Sequence, residues 1–143
     1  MTSIPKIQSA LCFIVSPQER FLIAKRATTG FQANRWGLIG GKIEVNESAV
    51  DALQREVKEE IDLDVDLDNL ESIGTYILHY KEMEAECVTY KLKVTHEFIP
   101  TLNHEHQEYK WVTVEECYKK NDLMDGLYIL LEQMNAVKFG KIL

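Results

Sequence analysis

Apolar positions change their spacing several times along the chain, and each change predicts an element. Residues 10–15 (Ala-Leu-Cys-Phe-Ile-Val) form an unbroken apolar run rich in strand formers, and residues 21–25 form a second. The turn residues 16–20 (Ser-Pro-Gln-Glu-Arg) between them predict a hairpin. Residues 26–35 are polar with one glycine and read as a loop. Residues 36–44 hold three glycines in a partly apolar stretch, so backbone geometry governs there more than side-chain packing.

At residue 47 the period becomes helical. Val50, Leu53, Val57 and Ile61 recur at three- and four-residue steps and draw one apolar stripe on a helix over 47–61, capped by Asn46 or Glu47. Strands are predicted next at 73–79 and 87–98. In the second, Val88, Tyr90, Leu92 and Val94 alternate with Thr89, Lys91, Lys93 and Thr95, the pattern of a half-buried strand. Residues 111–114 are a last short strand, and Thr113 with Glu116 has the spacing of a capping box that opens a turn of helix. Leu127, Leu130, Leu131 and Met134 mark a C-terminal helix. Strands mixed with two main helices predict an α+β or α/β sandwich. No repeat or linker interrupts the chain, so one domain over 1–143 is expected.

Composition narrows the class. A hydrophobic content of 45% and a charged content of 27% are ordinary for a globular protein. The formal charge is -7, from 16 Lys+Arg against 23 Asp+Glu, which disfavours binding to extended nucleic acid. A compact anion can still bind where a divalent cation first neutralises a local acidic cluster. Cys12, Cys87 and Cys117 lie far apart with no C-x-x-C pair, which argues against a disulfide framework or structural zinc and suits a reducing cytosol. The longest early apolar run, 10–15, is too short to span a membrane, and Lys6 alone is a poor basic region for a signal peptide. A soluble, cytoplasmic chain is expected.

Candidate chemistry enters with the helix over 47–61. Glu56, Glu59 and Glu60 stand at i, i+3 and i+4, so they project from one sector at the border of the apolar stripe. Like charges so spaced repel by roughly a few tenths of a kcal/mol. Taken alone they are most simply a solvated acidic face. Clustered oxygen ligands are also what Mg²⁺ or Mn²⁺ requires. Arg55, four residues before Glu59, can hold a carboxylate through a charge-assisted hydrogen bond.

In order, the chain reads Gly41, five residues, Glu47, seven residues, then Arg55-Glu56-Val57-Lys58-Glu59-Glu60-Ile61-Asp62-Leu63. This resembles the Nudix hydrolase signature G-x5-E-x7-R-E-U-x-E-E-x-G-U, where U is aliphatic. Every fixed position matches except the last glycine, where Asp62 stands. Set spacings over 23 residues make the resemblance far more specific than a short motif. Asp62 replaces a helix-ending residue of positive φ, a conformation that aspartate tolerates, so activity is not expected to suffer. Ile39 stands where the family often has proline.

The resemblance implies an α/β fold, an α/β/α sandwich with a mixed central sheet. It also implies divalent-metal-dependent hydrolysis of a nucleoside diphosphate linked to another group, by water attack on phosphorus. Glu56, Glu59 and Glu60 carry over as metal ligands, with the carbonyl of Gly40 completing the shell. Glu47 and Arg55 carry over as supports beside the box glycine, Gly41. Mg²⁺ is the implied ion, with Mn²⁺ as a substitute. Residues 104–111 resemble the family segment in which acids precede a tryptophan strand. Glu105 is the implied further ligand or base, so that Glu59, Glu56, Arg55 and Glu105 make the catalytic set. Glu108 is the runner-up, and an acidic surface loop is the plain alternative. His104 and His106 lack a third ligand at zinc spacing and read as loop histidines.

Residues 26–35, 76–81 and the C-terminal helix are expected to surround a small nucleotide. Phe31, Tyr76, Tyr80 and Tyr90 can stack on a base, although core packing is the default for each. Residues 105–111 resemble dinucleoside tetraphosphate hydrolases, and 26–36 resemble GDP-mannose hydrolases. A (d)NTP pyrophosphatase is equally open, so no substrate-binding residue is assigned. The alternative class is a non-catalytic nucleotide sensor or interaction module of the same fold. Such a module is expected to lose box acids, and all four are present. An exposed apolar strand or helix face would support a homodimer.

Overall fold

The computed structural model describes residues 6–80 and 83–136. The elements run β1 (Lys6–Val15), β2 (Phe21–Arg26), β3 (Trp36–Gly37), β4 (Ile39–Lys42), α1 (Ala49–Ile61), β5 (Leu70–His79), β6 (Glu84–Lys93), β7 (His106–Val112), α2 (Val114–Tyr118) and α3 (Asp125–Gln133). β1 lies at the centre of a mixed sheet. It runs parallel to β6 along its length, and its other edge is antiparallel to β4 over Ser9 to Cys12. β6 pairs antiparallel with β5, and β2 pairs antiparallel with both β3 and β7.

The apolar run at 10–15 is explained by burial on both faces. Ala10, Cys12 and Ile14 pack with Leu53, Val57 and Ile61 of α1. Phe13, between them, packs on the opposite face with Leu127, Leu130 and Leu131 of α3. β2 divides likewise, with Leu22 and Ala24 toward α1 and Phe21 and Ile23 toward α3. A strand covered twice has no polar face to alternate with. Helices on both faces of a mixed sheet make the α/β/α sandwich.

Several expectations are corrected. α1 starts at Ala49 with Ser48 as its cap, whose hydroxyl accepts from Asp51 N at 3.1 Å. Neither Asn46 nor Glu47 serves, because the Glu47 carboxylate is committed elsewhere. β6 ends at Lys93; Tyr90 and Leu92 are buried and Lys93 is exposed as the alternation predicts, but Thr89 is buried against it, since the strand is interior. The hairpin of β1 and β2 is paired only at Val15–Phe21, because β4 and β6 take the edges of β1. Residues 106–110 belong to β7 and not to a loop. Asp62 ends α1 with φ 54° and ψ 40°, the left-handed conformation expected of it. Thr113 and Glu116 form a complete capping box. Among the described residues, no helix is long and apolar enough to cross a membrane. Of the segment 76–81, Lys81 lies outside the described residues.

Candidate active site

The site grows from the turn between β4 and α1. Gly40 adopts φ +140°, and a Cβ there would fall 2.2 Å from the carbonyl oxygen of Ala10, so β4 meets β1 closely only with glycine. A Cβ on Gly41 would fall 2.6 Å from the carboxyl carbon of Glu56. The missing side chain is the space in which that carboxylate sits. Arg55 ties loop to helix. Its Nε donates to Glu47 Oε2 at 2.8 Å and its Nη2 to Glu47 Oε1 at 2.9 Å. Nη2 also donates to the Lys42 carbonyl at 3.0 Å, and Nη1 to Glu56 Oε1 at 2.8 Å. The Arg55 guanidinium holds the Glu47 carboxyl down at about 2. Such bidentate, charge-assisted pairing fixes geometry as well as charge.

Glu60 is 2% exposed, although it is charged in its ordinary state. The Gly40 backbone N–H donates to its Oε1 at 3.0 Å. Burial pushes its carboxyl well above the usual range, and the nearby Glu56 and Glu105 push the same way. Burial also raises Glu56. A turn fastens Glu105 beside them: Asn103 N donates to the Glu60 carbonyl at 3.2 Å, and Ala27 N to the Glu105 carbonyl at 2.9 Å. Ligand atoms of Glu60, Glu105 and His106 all lie within 4.8 Å of one another. His106 is 8% exposed, and its Nδ1 is buried without a hydrogen-bond partner among the described residues. Burial, then the Arg26 guanidinium, lower its pKa. A buried carboxylate crowded by two others, with an unsatisfied imidazole nitrogen alongside, is a donor set that fits a divalent cation.

A model of the NUDIX domain matches residues 5–133. The chain belongs to the Nudix hydrolase family. A CTP pyrophosphohydrolase of Escherichia coli (strain K12) is 30% identical over 114 residues, which span 78% of this chain and 80% of that protein. The fold is similar to that of a MutT protein from Methanosarcina mazei Go1, with a TM-score of 0.81, 24% identity and coverage of 96% of this chain and 99% of that one. It is also similar to an Ap4A hydrolase of C. elegans, with a TM-score of 0.68, 22% identity and coverage of 94% and 98%.

In this Nudix hydrolase the predicted residues separate into layers. Glu60 and Glu105 meet at one point, with Glu56 in electrostatic reach of both. Glu59 stays outside that cluster: its side chain is 54% exposed, and Arg55 Nη1 lies 3.6 Å away. Glu108 pairs with Lys25 at 3.4 Å instead. His106 opens β7 and is buried, so it is not the loop histidine expected; His104 is exposed. A cavity of about 280 Å³ adjoins the box, walled by Gly40 and Gly41 and lined by Phe31, Leu38, Tyr80 and Leu127. Phe31 is 62% exposed at this cavity, whereas Tyr90 is buried in the α1 core and Tyr76 does not line it. Arg26 also lines the cavity while acting electrostatically on Glu60, so it stands between the apolar space and the acids. Its Nε donates to the Phe31 carbonyl at 2.9 Å. Arg26 lies in the segment 26–35 expected beside the nucleotide, but no local signal in the sequence separates it from Arg35.

Proposed function

We propose that this Nudix hydrolase cleaves the diphosphate linkage of a nucleoside triphosphate with a divalent metal ion, Mg²⁺ or in its place Mn²⁺. The observation that carries the reading is the burial of Glu60 among Glu56, Glu105 and the orphaned His106 nitrogen. A buried anion needs a counter-charge, and here other anions crowd it. In this reading Glu56, Glu60, Glu105 and the Gly40 carbonyl hold the ion, and Glu59, outside that cluster beside Arg55, turns in to join them. When bound, it screens phosphate charge and lowers the pKa of a bound water. Arg55 keeps Glu47 and Glu56 in register. Glu105, exposed to solvent beside Glu60, accepts the proton of the attacking water. The water oxygen bonds to phosphorus, the bridging P–O bond breaks, and the leaving phosphate keeps its electron pair. Arg26 meets the phosphates, and Phe31 and Tyr80 face the nucleoside in the cavity.

A triphosphate is favoured over a dinucleoside polyphosphate or a nucleotide sugar for two reasons. The relative at 30% identity is described as a CTP pyrophosphohydrolase. The cavity is at the small end for a ligand site, sized for one nucleoside. The reading takes 1–143 as one domain in a reducing cytosol, where the buried free thiols of Cys12, Cys87 and Cys117 persist.

The test is a panel of nucleoside triphosphates, nucleotide sugars and dinucleoside polyphosphates assayed with Mg²⁺ and with Mn²⁺. Glu59→Gln and Glu60→Gln are each expected to abolish turnover with the circular dichroism spectrum unchanged. Metal-independent ligand binding without turnover across the panel would replace the enzyme by the sensor reading.

A further inference from the structure

Of the cluster Glu60, Glu105 and His106, only His106 has no role from the box or from the acidic segment before Trp111. The pairing of β2 with β7 passes from Lys25–Glu108 directly to Arg26–His106, so Gln107 is the extra residue of a β-bulge. A bulge shifts the alternation of its strand by one position. Without it, His106 would share a face with Glu108 and Lys110. With it, His106 falls on the face of Tyr109 and Trp111, which pack toward α1. The ring therefore points to Glu60, and it is buried there with Nδ1 unpartnered among the described residues.

Resting on the metal-dependent reading above, we infer that a ring nitrogen of His106 is itself a ligand of the bound dication, beside Glu60 and Glu105. Ligands at about 2.1 Å from an octahedral ion stand about 3 Å apart when cis and about 4.2 Å apart when trans. The three donors, all within 4.8 Å of one another, reach that arrangement by shifts of about 1 Å or less. A neutral imidazole donates a nitrogen lone pair, which transition-metal ions accept more readily than Mg²⁺ does. The mixed nitrogen and oxygen set makes this site selective for a Mn²⁺-like ion over Mg²⁺. Purely carboxylate neighbours would carry a much smaller preference.

The experiment is pulsed electron paramagnetic resonance of the protein loaded with one equivalent of Mn²⁺. A coordinated imidazole modulates the spin echo through its ¹⁴N nucleus. That modulation is expected in the wild type and in H104Q, and lost in H106Q. By calorimetry H106Q is expected to weaken Mn²⁺ binding about tenfold or more while leaving Mg²⁺ binding largely unchanged. If H106Q does not fold, the triple variant H79Q/H96Q/H104Q labelled with ¹⁵N-histidine serves, because His106 is then its one histidine and the modulation must change to that of ¹⁵N. Mn²⁺ bound without nitrogen modulation, in a manner that E60Q abolishes, overturns the His106 assignment and leaves the metal platform standing. Mn²⁺ that fails to bind, or binds equally well to E60Q, overturns the metal reading itself.

Discussion

At Gly41 an added methyl group would sit 2.6 Å from the carboxyl carbon of Glu56, and Arg55 holds the same carboxylate by a hydrogen bond. Gly41→Ala is therefore expected to displace Glu56 by close to an ångström and leave the sheet intact. A misplacement of that size costs about a hundredfold in rate. The check is kcat beside the melting temperature, and full activity in a folded variant would remove Glu56 from the working site. Glu47 makes a prediction about acid. Its folded pKa of about 2 lies below the ordinary 4.5, so its pairing with Arg55 stabilises the fold fully above that ordinary value. The contribution is lost as pH falls from about 4.5 toward 2. Urea midpoints measured through that window are expected to fall less steeply for Glu47→Gln than for the wild type. Parallel slopes would mean that the pair forms equally in the unfolded chain.

At the scale of elements, α1 is defined by its two ends. The Ser48 hydroxyl satisfies one of the free N–H groups of the first turn, and the αL conformation of Asp62 stops the helix while its N–H returns to Lys58 O at 3.0 Å. Ser48→Ala is expected to destabilise the protein by about 1 kcal/mol, read from denaturant unfolding, with an unchanged m value. No loss would show that water caps the helix equally well. The stripe of Val50, Leu53, Val57 and Ile61 announces this helix in the sequence, but its start is displaced by two residues. Glu47 looks like a cap and is instead drawn to Arg55 and to the Glu44 N–H. β7 was hidden for a different reason. Its bulge breaks the period-two pattern, so 106–110 reads as polar loop although it is paired with β2.

The whole molecule is a sheet with two separate apolar layers. Leu53 belongs to the layer under α1 and Leu130 to the layer under α3, and both are fully buried. Leu53→Ala and Leu130→Ala are each expected to cost about 2–5 kcal/mol. Because the two share no cluster, the double variant is expected to equal their sum within about 0.5 kcal/mol. Unfolding free energies of the three variants measure this. A coupling well beyond that margin would show strain passing through the sheet from one layer to the other. The arrangement also bears on the site, since the acids stand at the end of α1 while the cavity is lined from α3. The acidic cluster and the cavity thus draw on opposite faces of the sheet and adjoin at Gly40 and Gly41.

By itself the sequence determined what depends on near neighbours. The continuous run at 10–15 required a strand, the three- and four-residue steps required α1, and the spacing from Gly41 to Leu63 carried the family and with it the sandwich. The positive φ of Asp62 and the Thr113–Glu116 box were legible for the same reason, since caps involve residues three or four apart. Burial is different, because it depends on what the rest of the chain brings alongside. Glu59 and Glu60 are adjacent, and the 100° step of an α-helix is all that separates them. One faces solvent, while the other is closed in by Gly40 and by the turn at Asn103 to His106. That contrast, the inward turn of His106 and the position of Arg26 beside the cavity come from strands far apart in sequence, so only the tertiary structure decided them.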